Sequence, residues 1–148
     1  MSATNAFETS LLSHIFANAD IANVGDATGL RGSSTAGNLY ISLHTADPGE
    51  AAASGQQTSE CSYTSYARVA VVRSGSGWTI SGNNASNAAV VTFPTATGGS
   101  ETATHFGIGT ASSGAGVLLF KGSLNTTLAI SNGIAPSFAI GELDVNYD

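Results

Sequence analysis

From Asn38 onward, apolar residues recur at every second position in short runs. Leu39, Ile41 and Leu43 alternate with Tyr40, Ser42 and His44. The stretches Tyr66 to Arg73, Trp78 to Ser81, Ala88 to Phe93, Thr104 to Gly109, Val117 to Leu124, Leu128 to Ser131 and Ser137 to Ile140 follow, and Leu143, Val145 and Tyr147 close the series on one face. A period of two is that of a strand with one side turned to a core. The segments "SGSG", "SGNNASN", "TATGGSE", "SSGAG" and "SNGIAP" punctuate the runs. Short strands separated by Gly, Ser and Asn mark an antiparallel sandwich or barrel. Parallel strands need long, usually helical crossovers, and no helical period interrupts the runs. The pattern predicts an all-β fold of about nine strands, an antiparallel β-sandwich of jelly-roll type.

One helix precedes it. Phe7, Leu11, Leu12, Ile15 and Phe16 recur at helical spacing over about Ala6 to Ala17. Asn5 and Glu8 stand three apart, as the two members of a capping box do. Asp20 to Gly37 shows neither period and contains Gly25, Gly29, Gly32 and Gly37. It reads as an extended arm, and unstructured stretches of that length in a small domain often contact a partner. The division expected is residues 1–37 as helix and arm and residues 38–148 as the β-sandwich, in a single domain overall, since 148 residues support one core.

Charge narrows the function. Only 9% of residues are charged, against about a quarter in ordinary soluble proteins. A surface of short uncharged side chains loses little entropy when a neighbour covers it, which suits a packed subunit. The four basic residues Arg31, Arg68, Arg73 and Lys121 are dispersed among ten acidic ones. No patch could neutralise a run of phosphates, so neither nucleic acid nor an anionic membrane is an expected partner. Cys61 is the lone cysteine and cannot form an internal disulfide, in keeping with a reducing compartment. Glu8, Ser10, Ser13 and His14 interrupt the apolar residues a signal peptide would need, and no apolar run is long enough to span a bilayer. The glycosylation tripeptides at Asn84 and Asn125 therefore read as turn and strand residues.

Candidate chemistry centres on "NLYISLHTADPGE", Asn38 to Glu50, where His44 stands three residues before Asp47. A strand with Leu39, Ile41 and Leu43 inward puts His44 on the opposite face. Asp47-Pro48-Gly49 has the composition of a turn, which accounts for these residues without catalysis. Glu50 and Glu60 flank the Ala51 to Ser59 loop and read as solvated carboxylates. His105, in "THFGIG", reads as a buried structural histidine with Gly107 and Gly109 leaving room on its own face, and His14 as part of the helix's polar side. These histidines lie on separate elements and do not form a metal site by spacing. "GIGTASSGAG" has neither dinucleotide-fingerprint nor P-loop spacing and reads as a hairpin turn. No Gly-x-Ser-x-Gly nucleophile elbow is present. A glycan hydrolase would need two carboxylates about 5–9.5 Å apart across a cleft, whereas the acidic residues cluster in turns. The aromatics could offer stacking faces for sugar, but most sit at core positions; Tyr63 and Tyr66 are the pair burial explains least. No catalytic residue, cofactor or metal is expected.

The order of "LLSHIFAN", a Gly-rich arm, "NLYISLHTADPGE", "SYARVAV", the Asn87 to Pro94 segment, "THFGIG" and "ISNGIAPSFAIGELDVNYD" resembles a family of small tailed-bacteriophage virion proteins, over nearly the whole chain. Members are labelled tail fibre-like or minor structural proteins, and similar jelly rolls serve as capsid cement or decoration proteins. The resemblance implies a non-enzymatic virion part assembled in the host cytoplasm. The leading expectation is capsid cement: a homo-oligomer whose helix and Asp20 to Gly37 arm grip neighbouring subunits, with the major capsid protein as partner. The alternative is a tail fibre or tail-tip module whose Ala51 to Ser59 loop, with Tyr63 and Tyr66, reads a host glycan.

Overall fold

The computed structural model describes residues 3–25, 28–50 and 55–147; residues 26–27 of the expected arm and 51–54 of the Ala51 to Ser59 loop lie outside them. Among the described residues there are one helix, α1 (Asn5–Ala17), and nine strands: β1 (Asn38–His44), β2 (Val69–Val72), β3 (Trp78–Ser81), β4 (Asn84–Asn87), β5 (Val91–Thr92), β6 (Ser100–Gly109), β7 (Leu118–Ser131), β8 (Ser137–Phe138) and β9 (Asp144–Asn146). They form sheets in the orders β2-β1-β6-β7, β3-β4-β9 and β5-β8. The β1–β6, β6–β7, β3–β4 and β4–β9 pairs are antiparallel. The fold is thus all-β with a single N-terminal helix, in the sandwich class the alternation predicts. Two compact units are built from interleaved segments: Met1–Asn38, Val71–Val91 and Phe138–Asp148 make one, and Leu39–Ala70 and Thr92–Ser137 make the other.

In the first unit, α1 packs on β3 and β4. Its cap is Thr4 rather than Asn5: Thr4 is extended, and its hydroxyl accepts from the Phe7 amide at 3.4 Å. With Thr4 as cap, Glu8 stands at the fourth helical position, one too far along for a capping box. Glu8, Leu12 and Phe16 form the buried stripe, four residues apart, while Phe7 is 41% exposed. Phe16 meets the buried Trp78 edge-on at 4.6 Å between centroids. Burying side chains of this size contributes about 1.5–3 kcal/mol each.

Arg73 closes the other end of α1. Its Nε donates to the Ile15 carbonyl at 2.6 Å, its Nη2 to His14 at 2.7 Å and its Nη1 to Ala36 at 3.2 Å. Helix-end carbonyls otherwise lack partners, and a cation there also suits the helix dipole. Among its described residues, the Asp20 to Gly37 arm is tied down at several points. Ile21 and Leu30 exchange backbone hydrogen bonds of 2.8 Å, Asp20 Oδ1 accepts from the Gly32 amide, and the Asn18 side chain bonds the Ser33 backbone through both its oxygen and its nitrogen. Short polar side chains hold these described residues, which the absence of a period does not register.

β4 comes from "SGNNASN", which the punctuation reading assigns to a turn. Only Gly82-Asn83 turns: Ser81 pairs with Asn84, and Gly82 has φ 61. Glycine first in a two-residue loop with positive φ there alone fits a II′ hairpin. Ala85 and Asn87 then face inward.

In the second unit, β1 lies beside β6, and β6 beside the long β7. The gap expected between Leu124 and Leu128 is a bulge inside one strand. Ala103 pairs with Leu128 and His105 with Ser123, so Leu124, Asn125, Thr126 and Thr127 stand against Thr104 alone. β1 is covered on both faces, with Ile41, Ser42, Leu43 and His44 each at most 1% exposed.

Candidate functional site

A dense polar network in the second unit joins residues that sequence spacing leaves apart. Arg68, on the approach to β2, lays its guanidinium against Glu60. Nε reaches Oε1 and Nη2 reaches Oε2, each at 2.7 Å. The side chains are 2% and 14% exposed respectively. Nη2 also donates to the Gly114 carbonyl at 2.6 Å, and Nη1 to the Ala111 carbonyl at 2.8 Å and Gln56 Oε1 at 3.2 Å. All five guanidinium N–H groups therefore have acceptors. Gln56, fully buried, passes the bond on through Nε2 to the Tyr40 carbonyl at 2.7 Å. Its backbone amide donates to the Ala115 carbonyl at 2.6 Å. Tyr66 donates its hydroxyl to Glu60 at 2.8 Å and accepts from the Leu43 amide at 3.1 Å.

Such a bidentate, desolvated pair stands only because every remaining donor finds an acceptor. It fixes the 55–60 turn and the 110–116 hairpin to β1. Burial and the neighbouring Glu60 carboxylate both push the Tyr66 phenol above its ordinary value. Burial pushes Tyr63 to about 12, and its hydroxyl donates to the Pro94 carbonyl at 2.9 Å. The two rings meet edge-on at 5.2 Å, and Tyr66 stacks on Phe93 at 6.2 Å. Tyr63 and Tyr66 are thus core residues, and no sugar platform is formed by them. Among the described residues Phe7 is the one aromatic more than a third exposed.

His44 does face away from Leu43, as alternation requires, but it meets protein there. Its Nδ1 lies 2.8 Å from the Thr58 carbonyl, so that nitrogen carries the proton and donates. Nε2 lies 2.8 Å from Ser42 Oγ and accepts from it. Burial lowers the pKa of His44. A Cβ on Gly107 would come within 2.7 Å of His44 Nε2 and 2.8 Å of Ser42 Oγ, and one on Gly109 would collide with Gln56 Oε1. The room these glycines leave is filled by β1 and the 55–60 turn, not by His105. His105 is half-buried rather than buried, pairs in register with His44, and its Nδ1 lies 2.8 Å from the Thr104 hydroxyl.

Asp47 takes no part with His44. Its Oδ1 accepts from the Gly49 amide, as the turn reading requires, and from Lys121 Nζ, both at 2.8 Å. The Lys121 bond lowers the pKa of Asp47, and the reciprocal bond raises that of Lys121. Glu50 adds a contact to Lys121 at 3.5 Å. Glu60, expected to be solvated, is instead the half-buried partner of the buried Arg68. His14 Nδ1 lies 2.7 Å from the Ala19 carbonyl beyond α1. Burial raises the Cys61 thiol to about 12, which keeps it protonated and unreactive. Among the described residues no three His, Cys, Asp or Glu side chains group as a metal site, and no helix is long and apolar enough to cross a membrane.

The sequence reading missed Gln56 and Arg68 as partners. Its only signal was scarcity: in a chain with four basic residues, one placed inside the alternation of "YARVAVV" needs a specific acceptor. Comparison with known families gives a match over residues 2–146 to the family described as podophage GP4 fiber I protein gp80. No curated protein matches the chain.

Proposed function

Because the chain belongs to the podophage GP4 fiber I protein gp80 family and is a phage virion structural protein, we propose that it serves as a non-enzymatic building unit of a tail-associated fibre. The observation that carries this reading is the breadth of the match, which takes in α1 and all nine strands. The polar chemistry is compatible with it. Arg68, Glu60, Gln56, Tyr66 and His44 are engaged with one another or with backbone groups, which makes them a framework for loops. A subunit held by its neighbours needs that rigidity more than it needs a reactive group.

The capsid-cement reading relied on a free arm able to grip a neighbour. With Ile21 and Leu30 paired and Asn18 bonded to Ser33, that segment offers less reach, so the fibre becomes the preferred station. Recognition of a host glycan is not part of the proposal, since Tyr63 and Tyr66 turn inward. The test is gold-labelled antibody against the chain on intact particles, with isolated tails and heads alongside. Label at the tail supports the fibre; label spread regularly over the head refutes it and restores cement.

A further inference from the structure

Two segments of the first unit bring several exposed apolar side chains together. Asn87, 1% exposed, holds them. Its Nδ2 donates to the Ala89 carbonyl at 2.7 Å and to the Ala139 carbonyl at 2.8 Å, and its Oδ1 accepts from the Leu143 amide at 2.9 Å. Its own carbonyl accepts from the Gly141 amide at 3.0 Å. Glu142 reaches back to accept from the Ala139 amide at 2.7 Å. Residues 88–90 and 139–141 therefore lie side by side, with Ala89 and Ala139 exposed, Val90 56% exposed and Ile140 65% exposed. Ile140 is the most exposed large apolar side chain among the described residues.

A buried amide bridging two loops fixes this apolar surface before anything meets it, which lowers the ordering cost of association. Charge indicates what meets it. Residues 74–91 and 138–147 contain no Lys or Arg, and their charges are Glu142 and Asp144. A second copy applied through the same patch would oppose the Glu142 carboxylate, held at the patch by the Ala139 amide, to its equivalent. The chain also has few cations to offer them: Arg68 is buried against Glu60, Arg73 is bonded to α1, and Lys121 to Asp47. Arg31, exposed, already pairs with Asp20.

We propose that the Val90–Ile140 patch docks a different virion protein through an apolar face rimmed with Lys or Arg. This rests on the reading of the chain as a virion part. The test places a photo-crosslinking residue at position 90 or 140 of the full chain in assembled phage, with position 117 as control, since Val117 is also exposed but lies in the second unit. Adducts from 90 and 140 to another virion polypeptide, on peptides containing Lys or Arg, are expected. The Val90→Ser, Ile140→Ser double variant should lower the copies of this chain per purified particle at least about tenfold, with an unchanged melting midpoint; Val117→Ser should not. Adducts only between copies of this chain, or unchanged incorporation of the double variant, would overturn the docking site while leaving the chain's place in the particle intact. Absence of the unmodified chain from purified particles would overturn that place and the docking site with it.

Discussion

Replacing Arg68 by methionine retains much of the side chain's length and deletes all five of its donors. Glu60, 14% exposed, would then hold a carboxylate with Tyr66 as its remaining side-chain donor, and the Ala111 and Gly114 carbonyls would each lose a bond. Breaking one member out of a buried pair costs about 3–5 kcal/mol, because the charge left behind is uncompensated. For 148 residues at roughly 2.1 cal/mol/K each, the unfolding entropy is about 0.31 kcal/mol/K, so the midpoint should fall by about 10–16 °C. Calorimetry of Arg68→Met at neutral pH measures this directly. The Arg68→Met, Glu60→Leu double variant should be more stable than Arg68→Met alone, since the stranded charge is gone. A single-variant shift under about 3 °C, or a double-variant loss equal to the sum of the two single losses, would refute the claim that the pair is desolvated and coupled.

Gly109→Ala should destabilise by about 1–3 kcal/mol or more, because its methyl would displace Gln56 and press on the Val117 carbonyl, whereas Gly75→Ala, with open space around it, should be near neutral in urea unfolding. Asn87→Ala should cost about 2–4 kcal/mol and Asn87→Asp more, since aspartate would turn an acceptor toward the Ala89 and Ala139 carbonyls; thermal melts rank the two. His44 is held neutral by burial, so its folded pKa lies below the ordinary 6.5. The unfolded chain therefore binds a proton first as acid is added. Stability should be full above about pH 7.5 and decline as the pH falls through 6.5 toward the folded value, by no more than about 1.4 kcal/mol per pH unit from this group. Urea midpoints at several pH values should show the slope flattened in His44→Gln; an equal slope in that variant would locate the effect elsewhere.

Alternation was informative where one face of a strand meets the core and misleading where polar residues complete the sheet. Leu39, Ile41 and Leu43 announce β1, and Trp78 to Ser81 announces β3. β4 was hidden because Asn84, Ala85, Ser86 and Asn87 have turn-like composition, although Gly82-Asn83 after "WTIS" was a legible hairpin signal. The break expected after Leu124 is a bulge, and no local pattern distinguishes a strand end from three extra residues absorbed within one. The Arg68–Glu60–Gln56 network was least legible: these residues are 8 and 12 positions apart in a segment without regular structure. Their acceptors at Ala111 and Gly114 join them only once the chain has folded.

The interleaving of the two units also orders events in time. Leu39–Ala70 and Thr92–Ser137 contain every segment of the second unit, so all of it is made ahead of residues 138–148. The first unit must wait: β4, made near residue 85, finds β9 only after residues 144–146 have left the ribosome. Until then α1 has a two-stranded hairpin to pack on, which is marginal in water, and Asn87 lacks the Ala139 and Leu143 groups that satisfy its amide. The first unit therefore remains unfinished until residues 139–146 have been made, and the apolar patch that Asn87 holds forms only then.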